Sequence, residues 1–283
     1  MNSFRSTNLL TVTAMVITFL AISSPGFSQR CAEARAGTGR GLGGGGYNAL
    51  FDQIEKTPLS AAEIEGLTLM REEEKLARDV YTTLSDTWQL PIFGNIAMAE
   101  QRHIDALQMV FATYESEIDD RTFDYTVGVF ANGELAELYL QLVKRGKSSL
   151  VDALTVGATI EDLDLEDLED LLARTENDHI RVVYNNLAKG SRNHLRSFIR
   201  VLTAQGGSYS PGYLDQATFD TIVNSEMERR MVYGADGEVL ATGGRGRSGQ
   251  GRGGRGRGHG YAHGARKGSG PQGEGQTGGT NIQ

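Results

Sequence analysis

Glu100 and His103 stand three residues apart in the stretch Ala99-Glu100-Gln101-Arg102-His103. On an α-helix that spacing puts both on one face, about 4.5 Å apart along the axis. A carboxylate oxygen and an imidazole nitrogen so placed can hold one metal ion from one side. Both also fall on the apolar stripe Ile96, Glu100, His103, Leu107, Val110, Tyr114, with steps of 4, 3, 4, 3 and 4. Charge at a core position is costly unless it is paired or bound to metal. One Glu-x-x-His arises often by chance, so its meaning depends on whether other helices bring matching groups.

Three other amphipathic stretches do so. A helix from about Ser60 to Leu84 opens on a capping-box pattern, Ser60 with Glu63. It carries Glu74 on the stripe Leu67, Met70, Glu74, Ala77, Tyr81, Leu84. Glu72 and Glu73 fall off that stripe and read as solvated. Pro91 and Gly94 mark a turn, and the helix that bears Glu100 runs from about Asn95 to Tyr114. From Ser149 to Ala173 the stripe Leu150, Leu154, Gly157, Glu161, Asp164, Leu168, Leu171 places Glu161 and Asp164 in the seam. The other acids there, Asp162, Glu166, Asp167, Glu169 and Asp170, read as outer-face charges. A fourth helix from Asp178 to Thr203 carries Ser191 and His194 on the stripe Ile180, Tyr184, Leu187, Ser191, His194, Phe198, Val201. Gly190 lies inside it at a cost of about 1 kcal/mol relative to Ala. The period keeps phase through the glycine, which favours one continuous helix over a break there. His179, in its first turn, reads as a surface residue, and Arg192 and Arg196 as solvated or paired with outer acids.

Between the second and third long helices, residues 115–147 read as a long crossover. It holds a short helix over 132–144, capped by Asn132 and ended by Gly146. A further short helix is expected after Asp215.

The 283 residues are 39% hydrophobic, enough for a sizeable core, and the 37 glycines concentrate at the two ends. The single cysteine, Cys31, excludes an intramolecular disulfide framework and a thiolate cluster. The net charge of −8 is unevenly spread: residues 1–46 carry +3 and the chain from Thr242 carries +6, which leaves −17 for the middle. Such a body suits cations and does not suit nucleic acid. Residues 1–28 read as a secretory signal peptide, which implies a secreted or periplasmic protein. Residues 29–46 read as a Gly-rich linker and 47–230 as the helical domain. Residues 243–283 read as a disordered Gly/Arg-rich tail able to touch anionic surfaces.

Carboxylate-bridged two-metal bundles take a Glu from each of two helices and Glu-x-x-His from each of two others. Glu74, Glu100, His103, Glu161 and His194 supply that plan, with Ser191 where it wants a glutamate. Asp164, one turn from Glu161, can restore the fourth carboxylate; without it, one ion or an asymmetric pair is expected. Tyr81 and Tyr184, seven residues from Glu74 and Ser191, are expected to bond ligand carboxylates through their hydroxyls.

Arg71-Glu72-Glu73-Glu74-Lys75-Leu76-Ala77-Arg78-Asp79-Val80-Tyr81, Glu100-Gln101-Arg102-His103 and Gly190-Ser191-Arg192-Asn193-His194-Leu195-Arg196 resemble the DUF2202 family, placed with the ferritin-like superfamily. The resemblance spans roughly residues 47–223. It implies an all-α, antiparallel four-helix bundle with one long crossover, and dinuclear iron chemistry as in rubrerythrins. It implies no assigned reaction for the family itself.

The combined expectation is a protein binding one or two transition-metal ions, with iron first and manganese or zinc as alternatives. Its reaction partner would be oxygen or peroxide, and a homo-oligomer stays open. The competing expectation is a non-catalytic module whose seam polar groups form a structural network.

Overall fold

The computed structural model describes residues 50–115, 117–118 and 123–242. The expected signal peptide, Gly-rich linker and Gly/Arg-rich tail lie outside the described residues.

Four long helices carry the core: α1 (Ala61–Trp88), α2 (Pro91–Thr113), α4 (Leu150–Leu172) and α5 (Asp178–Ala204). The short α3 (Gly133–Gly146) lies in the crossover, α6 (Gln216–Asn224) follows the bundle, and β1 (Met231–Tyr233) pairs antiparallel with β2 (Val239–Thr242). α1 packs on α2 and α4 on α5, while α2 faces α5 and α1 faces α4. The starts of α1 and α5 share one end, where Thr175 Oγ1 donates to Glu63 Oε1 at 2.6 Å. At the opposite end Trp88 Nε1 donates to the carbonyl of Gly146 at 2.8 Å. The crossover therefore climbs the full length of the bundle, and α2 and α4 run parallel.

Local chemistry fixes the helix starts. Ser60 and Glu63 form the expected capping box. Asn132, Ser149, Asn177 and Asp215 each accept a backbone N–H from the first turn of the helix they open. Pro91 is not part of the turn: it is the first residue of α2, where a missing N–H costs nothing. The reversal falls on Gln89, at φ 51°, and Leu90. Gly94 lies within α2, where a Cβ would meet Ser85 Oγ of α1 at 3.1 Å. α5 is unbroken through Gly190.

The charged run in α1 ties down the crossover. Lys75 and Asp79 are buried, and Lys75 Nζ donates to Asp79 Oδ2 at 2.6 Å and to the carbonyl of Thr126 at 3.0 Å. Arg78 bonds Asp79 Oδ1 at 2.8 Å, Gln101 Oε1 at 2.7 Å and the carbonyl of Tyr125 at 2.9 Å. The N–H of Gly128 donates to Asp79 Oδ2 at 2.9 Å. Arg71 stacks on the rings of Phe111 and Phe123.

Several residues read as outer-face charges are not solvated. Asp162 is fully buried and accepts from Tyr209 Oη and from the N–H groups of Gly212, Tyr213 and Leu214. It holds the loop that leads to α6, and Asp167 is buried as well. His179 is buried too: its Nδ1 meets Tyr114 Oη at 3.0 Å and its ring stands edge-on to Phe51. Arg192 and Arg196 pair with Glu228, in the segment between α6 and β1, and not with acids of α4. The hairpin that follows was not expected from the sequence; Asn185, Asn186 and Lys189 of α5 bond its backbone.

Asp79→Ala would strand Lys75 and Arg78 as buried, partly unpaired cations, and is expected to cost about 3–5 kcal/mol in denaturant unfolding. Glu228 gives a pH signature. Partial burial raises its pKa, but Arg192, the Tyr233 hydroxyl and Arg196 outweigh this and hold it down to about 2. A carboxylate with a depressed folded pKa contributes stability above its unfolded value of about 4.3, lost as pH falls toward the folded one. Melting temperatures of Glu228→Gln should therefore lie below those of the parent at neutral pH. The gap should close between about pH 4.5 and 2.

Candidate metal centre

The four long helices bring their seam charges to one depth. Glu74 of α1, Glu100 of α2 and Glu161 of α4 are each at most 2% exposed, and His194 of α5 is 9% exposed. His103 Nδ1 lies 3.0 Å from Glu74 Oε2 and 2.8 Å from Glu100 Oε2. His194 Nδ1 lies 2.9 Å from Glu100 Oε1 and 3.4 Å from Glu161 Oε2. Glu100 thus turns one oxygen to each imidazole, and the two rings stack at 5.5 Å between centroids. One ligand atom from each of Glu100, His103 and His194 falls within 4.8 Å of the others.

Asp164 of α4 is the remaining seam acid. Its Oδ2 accepts a hydrogen bond from Ser191 Oγ, which also reaches the carbonyl of Leu187 at 3.3 Å. The serine therefore stands in the seam holding an aspartate from the neighbouring helix. Tyr81 Oη donates to Glu161 Oε1 at 2.6 Å, as expected. Tyr184 does not reach the cluster: its hydroxyl lies near Gly66, in the field of Glu73 and Glu63. The difference is one of direction. Helical side chains lean toward their own N-terminus. Tyr81, two turns after Glu74, leans back toward the cluster, while Tyr184, two turns before Ser191, leans away.

The electrostatics are those of an acid-rich site short of positive charge. Burial raises Glu74 to about 8, with His103 opposing and Glu100 adding to the rise. Burial and repulsion from Glu74 and Glu161 push Asp164 well above the usual carboxylate range, and burial with repulsion from Glu100 raises Glu161. Burial would raise Glu100 too, but His194 and His103 outweigh it and draw it down. Burial disfavours a charged His194, yet Glu100 and Glu161 raise it to about 10, and Glu74 and Glu100 likewise raise His103. Protons on the imidazoles take the place of cations. Even so, Glu74 Oε1, Glu100 Oε1 and His194 Nδ1 are buried with no hydrogen-bond partner of acceptable geometry. Four carboxylates would neutralise two divalent ions, and these orphaned donor atoms fit them. Two imidazoles and carboxylates suit iron, manganese or zinc.

Two residues outside the expected set matter. Gly190 faces the centre from α5, and a Cβ there would overlap the His103 imidazole. Its signal was an in-phase glycine one residue before Ser191. Glu73, expected to be solvated, has a buried carboxylate oxygen without a partner and is raised by burial and by Asp167 and Asp164. Glu72 also keeps one oxygen out of water.

Comparison with known proteins places the chain among relatives. The family described as "Uncharacterized protein domain (DUF2202)" matches residues 63–226. "Uncharacterized protein MJ0754" of Methanocaldococcus jannaschii is 50% identical over 181 residues, 64% of this chain and 97% of that protein. The "Crystal structure of hypothetical protein MJ0754 from Methanococcus jannaschii DSM 2661" superposes with a TM-score of 0.60 at 49% identity, covering 62% of this chain and 99% of that one.

By helix propensity alone, Gly190→Ala should stabilise α5 by about 1 kcal/mol. Because the added methyl meets an imidazole pinned by two carboxylates, the expected outcome is the reverse. A loss of about 1–3 kcal/mol in denaturant unfolding is anticipated.

Proposed function

The chain belongs to the DUF2202 family, and within it we propose a ferritin-like protein that binds two transition-metal ions, iron first, in its bundle core. The single observation that carries this reading is Glu100, whose two oxygens address imidazoles from two different helices. A carboxylate so shared could help to hold both ions of a pair. Glu74 and His103 would hold one ion, Glu161 and His194 the other. Asp164, steadied by Ser191, would complete the charge balance.

An Fe(II) pair held there would supply electrons to oxygen or peroxide. The protein's own contribution is positional. Tyr81 fixes the orientation of Glu161. The surrounding apolar side chains exclude water, and carboxylates favour the more highly charged oxidised metal. The chemistry proposed is oxidation of Fe(II), in an exported protein if residues 1–28 act as the leader their composition suggests.

The competing structural network is favoured by the existing pairing of His103 and His194 with Glu100. Metal analysis of the purified full chain after anaerobic exposure to Fe(II) or Mn(II) separates the two. About two ions per chain are expected, falling below one in Glu100→Ala and in His194→Ala. Substoichiometric metal that Glu100→Ala leaves unchanged would establish the network reading instead.

A further inference from the structure

His179 is a buried histidine that the metal centre does not use. It stands in the first turn of α5, at the bundle end where α1 also begins, and is 2% exposed. Its Nδ1 lies 3.0 Å from Tyr114 Oη, and its Nε2 lies 3.4 Å from the carbonyl of Phe51. Phe51 belongs to a turn over 50–54, closed by the N–H groups of Gln53 and Ile54 on the carbonyls of Leu50 and Phe51.

The neighbours fix where the protons sit. Asn177 caps α5 through Oδ1, which accepts from the N–H of Ile180. Its Nδ2 is therefore the atom that donates to Tyr114 Oη, at 2.9 Å. The tyrosine oxygen accepts from Asn177, and its own hydrogen goes to His179 Nδ1. A ring nitrogen that accepts carries no proton, so Nε2 holds it and donates to Phe51. Neutral His179 satisfies this whole set. In the doubly protonated ring both nitrogens donate. Nδ1–H would then confront Tyr114 Oη, and the tyrosine hydrogen would lose its acceptor in a packed interior.

The charges nearby are Asp178, next in the chain, and Lys56, whose Nζ lies 4.8 Å from the centre of the Tyr114 ring. Glu63 and Glu117 act on Tyr114. Burial holds His179 below its ordinary value, against the Phe51 carbonyl and Asp178, and Lys56 adds to the fall. A base so lowered stabilises the fold above its unfolded value of about 6.5, and that contribution is lost as pH falls toward the folded one. The turn is the lightest part of this end. Tyr114, Asn177 and His179 sit on or cap long helices, whereas the turn meets His179 through the Phe51 carbonyl and an edge-on ring at 4.7 Å.

We propose that His179 is an acid-sensitive latch, whose protonation frees the turn over 50–54 from the end of the bundle. None of these groups belongs to the metal centre, so the latch works whether or not an ion is bound there.

Hydrogen exchange of the full chain, read by mass spectrometry over residues 50–59 and corrected for intrinsic rates, tests it. Between about pH 7.5 and about pH 5 exchange there should accelerate ~10-fold. His179→Gln keeps a donor for Phe51 and cannot titrate, so its corrected rates should be equal at the two pH values. His103 and His194 are present in both proteins and cancel from the comparison. Nitrogen-15 spectra of histidine-labelled wild type should show the Nε2–H tautomer at His179. Unchanged protection of the wild type in acid, or equal acceleration in His179→Gln, would overturn the latch. An Nδ1–H tautomer would overturn it even where His179→Gln fails to fold.

Discussion

Glu100 shares one carboxylate between two imidazoles inside an apolar bundle, and the rest of the architecture answers to that arrangement. In such a medium the carboxylate cannot stand uncompensated. His103 reaches it from the same helix, one turn away, and His194 reaches it from across the core. The second contact requires α2 and α5 to lie side by side. It also requires α5 to stay helical through Gly190, because the imidazole of His103 occupies the space a side chain there would need. A residue that weakens its own helix thereby allows two helices to share a charged centre.

The bundle was readable because period, caps and charge agree. The stripes kept phase over four long segments, and each predicted cap side chain accepts a backbone N–H. The residues of the cluster were readable for a related reason: charges on an apolar stripe must converge, because nothing else in the seam can satisfy them. Residues off the stripe were harder. Asp162 looked like one acid among many, but a loop some fifty residues later brings three N–H groups and a tyrosine to it. His179 and Glu73 were missed because periodicity tells which side a residue faces and not what stands opposite it: Tyr114 and Phe51 meet His179, and Glu73 lies in the field of Asp164 and Asp167. Tyr184 shows a different limit: spacing gives the face of a helix but not the direction in which a long side chain leans.

The seam is asymmetric. One half pairs Glu74 with His103 in direct contact. The other pairs His194 with Glu161 at a longer 3.4 Å and adds Asp164, held by Ser191. Ser191 of α5 carries no carboxylate, and the seam acid it bonds is the shorter Asp164 of α4.

The long crossover has a consequence for how the molecule is put together. Each hairpin forms from near neighbours in sequence and carries its own half of the acids: Glu74 and Glu100 on one, Glu161 and Asp164 on the other. Only when the two hairpins dock, across a loop whose closure costs entropy, do the halves confront one another. Part of the repulsion in the core, Glu74 against Asp164 and Glu100 against Glu161, therefore exists only once the two hairpins are docked.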